Sequence, residues 1–380
     1  MKYFKYMPAL GALLLTSVAA GAETEEWMSG LPDNVAVREL SIPGAHDAAT
    51  GNGFSGSSSF LALFSGVTQS LSLEAQWDAG VRAFDLRPSY KAGVDGNLQI
   101  YHGILETKMS MKAALQTLVD KLASSPGEMA VVLMRHESDS DSNSDSWPAA
   151  MSELLAEFDG HIATFSPDMT LGDARGKIIV LSRDSFESAK AAMIAGWSHS
   201  ESFTDQKRAI LSLGRNKAAL YAQDYYECSS ADSKYQAVTT LIDYSTANTS
   251  TTPWVINHVS GYTGSGTNSD VSNLAKALNI RVADYLEASE PGRAGILMMD
   301  FAGATNETSG KALVDKIIAQ NARYIDVKSA AVDAPESASD IAGDDRVYDL
   351  RGRYLGRGVE ILKDLPAGVY IHNGVKIIIR

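Results

Sequence analysis

Residues 129–137 read MAVVLMRHE, an unbroken apolar run from Met129 to Met134 that ends abruptly in Arg135, His136 and Glu137. A short run with no polar interruption reads as a strand buried on both faces, the environment of a parallel sheet covered by helices. The preceding segment supplies such a helix. Ser110 is placed to cap it, Ala114, Leu115, Leu118, Val119 and Leu122 recur at helical spacing, and Pro126-Gly127 stops it. A helix followed by a buried strand is the repeating unit of an α/β fold.

The same alternation extends in both directions. Further strand-like runs are Val35 to Ile42, Val81 to Leu86, Leu98 to Tyr101, Lys177 to Leu181, Ala218 to Ala222, Trp254 to Ile256 and Gly295 to Met299. With Met129 to Met134 they make eight, the number that closes a (β/α)8 TIM barrel. Helical spacing recurs in Asn273 to Ala288 and Gly310 to Ala322, while Gly51 to Ser59 and Asp139 to Ser146 read as loops. The barrel is expected over residues 23–330, a linker rich in Ala, Ser, Asp and Pro over 331–345, and a small β module over 346–380, where short β-branched runs are broken by Gly pairs and Pro366.

The chain of 380 residues is 45% apolar and 21% charged, enough to build a large core. Asp and Glu outnumber Lys and Arg by 46 to 33, a net charge of -13, and no basic run could follow a phosphate backbone, which argues against nucleic acid as a partner. One cysteine, Cys228, excludes an intrachain disulfide and a Cys-based zinc site. Residues 1–22 read as a secretory signal peptide: Lys2 and Lys5, an apolar stretch from Met7 to Ala20, then the small residues Ala20-Gly21-Ala22. The expected location is therefore outside the cytoplasm, secreted or at the cell surface.

Polar residues follow nearly every apolar run, at the end of a barrel where active sites are built. They are His46 and Asp47, Arg87, His102, Arg135 with His136 and Glu137, Arg183, Asp224 with Tyr226, and Asp300. Two imidazoles, an arginine and two aspartates suit general acid-base chemistry around an anion such as a phosphodiester.

The stretches SIPGAHDAAT around His46, VRAFDLRPS around Arg87, YHG around His102, LGDARGKIIVLSRD ending beside Arg183 and GILMMDFAG around Asp300 resemble the bacterial phosphatidylinositol-specific phospholipase C family, in matching order over residues 35–322. The resemblance implies a distorted barrel and cleavage of phosphatidylinositol to diacylglycerol and inositol 1,2-cyclic phosphate. Carried onto this chain, it makes His46 the general base, Asp300 its hydrogen-bonding partner, His102 the general acid and Asp47 the carboxylate that keeps His102 charged. Arg87 stands where calcium-dependent relatives hold a metal ligand, so no metal and no cofactor are expected. Arg183, Asp224 and Tyr226 match the family's inositol pocket. Arg135 and His136 stand where the family often has a Lys pair.

FLALFSG, from Phe60 to Gly66, matches an apolar rim helix of the family, which makes Phe60, Leu61, Phe64 and Tyr262 candidates for membrane contact, and a monomer meeting phosphatidylinositol in membranes is expected. Asp139 to Asp145 has the opening spacing of an EF-hand loop, but Ser144 replaces its turn glycine and Ala150 its last carboxylate, so a solvated acidic loop is expected. The tail, through VYDLRGR and LPAGVYI, resembles C-terminal sorting domains of the type IX secretion system. Two other functions fit the residues: a phosphodiesterase of this fold acting on another lipid or on a glycosylated inositol anchor, and a non-catalytic module binding inositol phosphates or glycans. Paired acid and base residues argue against simple binding.

Overall fold

The computed structural model describes residues 26–197, 207–248 and 253–325, and in the tail 346–349, 354–363, 365, 368–372 and 375–379. The expected signal peptide and linker lie outside the described residues. The chain divides into two units, 1–325 and 326–380.

The strands of the first unit are β1 (Ile42–Ala45), β2 (Ala83–Leu86), β3 (Pro88–Tyr90), β4 (Leu98–His102), β5 (Leu105–Ser110), β6 (Ala130–Met134), β7 (Ile178–Ser182), β8 (Ala192–Ala195), β9 (Lys207–Leu213), β10 (Asn216–Gln223), β11 (Trp254–His258) and β12 (Ile296–Met299). A closed barrel runs β1, β12, β11, β10, β9, β8, β7, β6, β2. It is an α/β, TIM-like barrel with nine strands instead of the expected eight. β9 is antiparallel to both neighbours, because Leu213 and Asn216 pair across the two-residue turn Gly214-Arg215. Gly214 takes φ 58°, the left-handed conformation that such tight hairpins require, so the chain returns at once without a crossover helix.

Two other expectations are corrected. Leu98 to Tyr101 belongs to β4, which lies outside the barrel in a three-stranded antiparallel sheet with β3 and β5. That sheet begins at Pro88, directly after Arg87, where the chain leaves the barrel wall. Val35 to Ile42 holds a 3-10 turn, Val37–Glu39, at its centre, and the strand starts only at Ile42.

The buried strands fill two different cores because successive side chains point to opposite faces. Val131 and Leu133 pack with Ile179, Leu181, Ile296 and Met298 inside the barrel. Ala130, Val132 and Met134 face outward onto Leu115, Leu118 and Leu122 of helix Met111–Ser124. That helix starts where the sequence places it, the Ser110 hydroxyl accepting from Ala113 N at 3.1 Å. Trp27 Nε1 donates to Gly80 O and Met28 N to Glu128 Oε1, just before β2 and β6, so the N-terminal segment closes that end of the barrel. A site can open only at the other end, where the strands finish.

The second unit is an antiparallel sheet of β13 (Arg346–Asp349), β14 (Tyr354–Arg357), β15 (Gly368–His372) and β16 (Val375–Ile379), in the order β14, β13, β15, β16. Among the described residues no helix is long and apolar enough to cross a membrane.

Candidate active site

His46 follows the last residue of β1, and its N–H donates to Met299 O at 3.0 Å, which anchors it beside the end of β12. Gln69 secures the junction from above, its amide donating to His46 O at 2.8 Å and Met299 O at 2.9 Å while its carbonyl accepts from Ala302 N. Asp300, one residue past β12, meets His46 Nδ1 with Oδ1 at 2.8 Å and accepts from Gly261 N with Oδ2 at 3.2 Å. The carboxylate thereby fixes the proton on Nδ1, and Nε2 is the nitrogen turned toward Asp47.

Asp47 takes the left-handed conformation, φ 44°, with its N–H toward Asp85 Oδ2 at 3.3 Å. Such a backbone costs roughly 1 kcal/mol or more for a non-glycine residue and marks an over-determined position. The turn drives its buried carboxylate beneath a guanidinium and two imidazoles: Arg87 Nε at 3.0 Å, His46 Nε2 at 3.1 Å and His102 Nε2 at 3.5 Å. Arg87 is itself buried and also paired to Asp85, Nη2 to Oδ2 at 2.8 Å. Its two carboxylate partners hold the guanidinium charged against burial, and the guanidinium in turn, outweighing burial, holds Asp85 below the ordinary carboxylate range.

His102 arrives by a different route from the one expected. It ends β4 of the side sheet at the hairpin His102-Gly103-Ile104-Leu105, and its Nδ1 donates to Gly66 O at 2.9 Å. Gly66 has φ 91°, and a Cβ there would lie 2.3 Å from Leu105 Cδ1, so only glycine lets the FLALFSG segment reach the hairpin. The rings of His46 and His102 stand 6.4 Å apart, both turned toward Asp47.

Burial opposes a charged His46, but Asp47 and Asp300 outweigh it and push the ring up to about 9. His258, edge-on to His46 at 5.8 Å, is pushed down to about 3, because burial and the neighbouring His46 outweigh Asp224 and Asp85. It adds no cation to the site at neutral pH. Burial also lowers Arg183 to about 10 despite Asp224, whose Oδ2 lies 3.8 Å from Arg183 Nη1 and accepts from Trp197 Nε1 at 2.8 Å. The Arg183 guanidinium stacks over the Trp197 ring at 4.5 Å.

These groups share one cavity of about 390 Å³, lined by His46, Arg87, His102, Asp300, Arg135, Arg183, Asp224, Tyr226 and Tyr262. Asp47 is buried behind the lining and touches it through Arg87, His46 and His102. His136 does not line it: its ring stacks on Trp147 at 4.2 Å and its Nε2 meets Asp141 Oδ2 at 2.5 Å. Consecutive residues leaving β6 point to opposite sides, so Arg135 faces the cavity and His136 faces the outer acidic loop. Phe60, Leu61 and Phe64 are exposed, whereas Tyr262 sits edge-on to Tyr226 at 6.0 Å.

The sequence reading left Asp85, Gln69 and Trp197 out of the site. Asp85 was detectable, since two residues apart on one strand means the same face as Arg87. Nothing local marks Gln69 or Trp197. Among the described residues His46, Asp47 and Asp85 have the spacing of a metal site, but Arg87 is ion-paired with both carboxylates, so the charge a cation would supply is already present.

No family model matches the chain. A 1-phosphatidylinositol phosphodiesterase of Listeria monocytogenes is 30% identical over 288 residues, covering 73% of this chain and 81% of the relative. One from Staphylococcus aureus is 25% identical over 289 residues, covering 74% and 89%. Among solved structures, the phosphatidylinositol-specific phospholipase C from Listeria monocytogenes superimposes with a TM-score of 0.59 at 26% identity over 77% of this chain and 98% of that one. A mutant of the Staphylococcus aureus phosphatidylinositol-specific phospholipase C gives 0.65 at 24% identity over 77% and 96%, a likeness of fold. The chain belongs to the bacterial phosphatidylinositol-specific phospholipase C family.

Proposed function

We propose that the protein cleaves phosphatidylinositol to diacylglycerol and inositol 1,2-cyclic phosphate. The observation that carries this reading is the pair of imidazoles 6.4 Å apart over the Arg87–Asp47 ion pair, in one cavity with Arg183, Asp224 and Tyr226. In its unprotonated form His46 Nε2 takes the proton of the inositol 2-hydroxyl, and that oxygen attacks phosphorus. The phosphorus–oxygen bond to diacylglycerol breaks as His102 Nε2 gives its proton to the departing oxygen. Because the nucleophile belongs to the substrate, this step requires no activated water. In a slower second step water gives a proton to His102 and attacks phosphorus, and the bond to the inositol 2-oxygen breaks as His46 returns its proton to that oxygen, opening the cyclic ester to inositol 1-phosphate. Arg87 donates toward the non-bridging oxygens as negative charge gathers there. Arg183, Asp224, Tyr226 and Arg135 receive the hydroxyls of the ring.

The protein meets its lipid at a membrane surface. Phe60, Leu63, Phe64 and Ile104 are 65%, 69%, 60% and 68% exposed, in the two segments that join at the Gly66–His102 hydrogen bond. Each such side chain contributes roughly 1.5–3 kcal/mol when fully buried in an apolar phase. With a net charge of -13, apolar insertion supports contact better than attraction to anionic lipid does. The enzyme acts as a secreted or surface monomer, with the tail module serving localisation. Phosphorus NMR of the purified protein with phosphatidylinositol vesicles tests the reading: a cyclic phosphate signal is expected. A protein that turns over phosphatidylcholine instead, or no lipid in any vesicle or detergent, overturns it.

A further inference from the structure

Lys234, on helix Ala231–Ala247, is fully buried, a rare state for lysine. Its ammonium donates to Tyr225 O at 2.7 Å and to Gln223 Oε1 at 3.1 Å. Gln223 Oε1 also accepts from Tyr225 N at 2.8 Å, and its amide donates to Asn257 Oδ1 and His258 O at 2.8 and 2.7 Å, tying the turn to β11. The residue so clamped, Tyr225, stands between Asp224 and Tyr226, both of which line the cavity while Lys234 does not. We propose that Lys234 is a positioning residue for headgroup recognition, its buried amine setting the turn that presents Asp224 and Tyr226 to the inositol ring. This rests on the reading of the cavity as an inositol phosphodiester site.

The clamp is sensitive to pH. Burial pushes Lys234 down to about 8, although Cys228 and Asp224 from the turn and Asp300 from the end of β12 favour its charged form. Of the other titratable groups packed there, burial raises the Cys228 thiol and lowers His258 to about 3. A charged amine holds the Tyr225 carbonyl more strongly than a neutral one, so the turn slackens as pH rises through about 8.

The test compares the full chain with Lys234→Met and Lys234→Gln, using soluble inositol 1,2-cyclic phosphate to avoid the membrane step and titration with myo-inositol as a direct binding probe. Lys234→Met should raise KM about tenfold while changing kcat less, and Lys234→Gln, which keeps an N–H for the carbonyl, should recover part of the loss. Wild-type KM should rise several-fold between pH 7 and 9, a rise missing in Lys234→Met. A well-folded Lys234→Met with wild-type KM and pH profile overturns the positioning role. If Lys234→Met does not fold, an unchanged KM in Lys234→Gln together with a flat wild-type profile overturns it equally. Wild-type protein that neither hydrolyses the cyclic ester nor binds myo-inositol defeats the functional reading itself.

Discussion

His46 Nδ1 and Asp300 Oδ1 are 2.8 Å apart, and this contact joins the first strand of the barrel to the last, across 254 positions of sequence. Together with Asp47 it keeps His46 protonated up to about 9, against an ordinary value of 6.5. Only the unprotonated ring serves as base. Hence the activity that His102→Ala keeps on a substrate whose leaving oxygen needs no proton, where only the base must be in the right form, should rise about tenfold per pH unit up to about 9. Asp300→Asn removes one of the stabilising charges, so the acid limb should move toward lower pH while the maximum falls. A profile unchanged by Asp300→Asn would remove His46 as its source. The stability linked to this group runs the other way: it is fully present below about 6.5 and lost as pH rises through about 9, which thermal melts across that window would read.

His46→Ala and His102→Ala should each lower turnover by roughly 10²- to 10⁴-fold with the fold retained. The two differ in their response to the leaving group. A substrate whose leaving oxygen needs no proton should restore His102→Ala far more than His46→Ala. Equal restoration would count against the separate acid and base roles.

Arg87 is held between Asp47 and Asp85 at 3.0 and 2.8 Å, so chelation with EDTA should leave wild-type activity unchanged. Arg87→Lys keeps a charge but loses the planar fork, and should lose much of the rate with a near-native melt. Arg87→Met removes the guanidinium paired to two buried carboxylates, Asp47 and Asp85, and should destabilise by about 3–5 kcal/mol in denaturant titration. Activity abolished by EDTA and restored by calcium would refute the metal-free mechanism.

Phe64 and Ile104 project from the segments on either side of the Gly66–His102 contact. Changing both to Ser should weaken sedimentation with phosphatidylinositol vesicles and slow lipid cleavage, while hydrolysis of soluble cyclic phosphate continues at the wild-type rate. Equal losses on both substrates would place these side chains in the chemistry instead of the membrane contact.

A chain ending at Ile325 retains every strand of the barrel and all the site residues. It should melt cooperatively and keep its turnover. Loss of a cooperative melt would show that the tail is needed for the barrel to fold.

The class of fold is legible in the residues alone, and so are most of the polar side chains that line the cavity. Apolar runs with polar ends are local features, legible in Met129–Glu137 because strand burial and strand termination are both written in consecutive side chains. Which strands pair is a long-range matter, settled by contacts between residues far apart along the chain. Leu98 to Tyr101 looks like the other runs, yet the chain leaves the barrel at Pro88 and returns only at β6, while Ala192–Ala195 and Lys207–Leu213 complete the wall. The same limit applies to the site. Arg135 and His136 are equal candidates in the sequence until the strand's pleat turns one inward. Asp47 acquires its role only where a left-handed turn sets it beneath groups from β2, the side sheet and the end of β1. Charge coupling depends on distance in space, and residue order along the chain does not fix that distance.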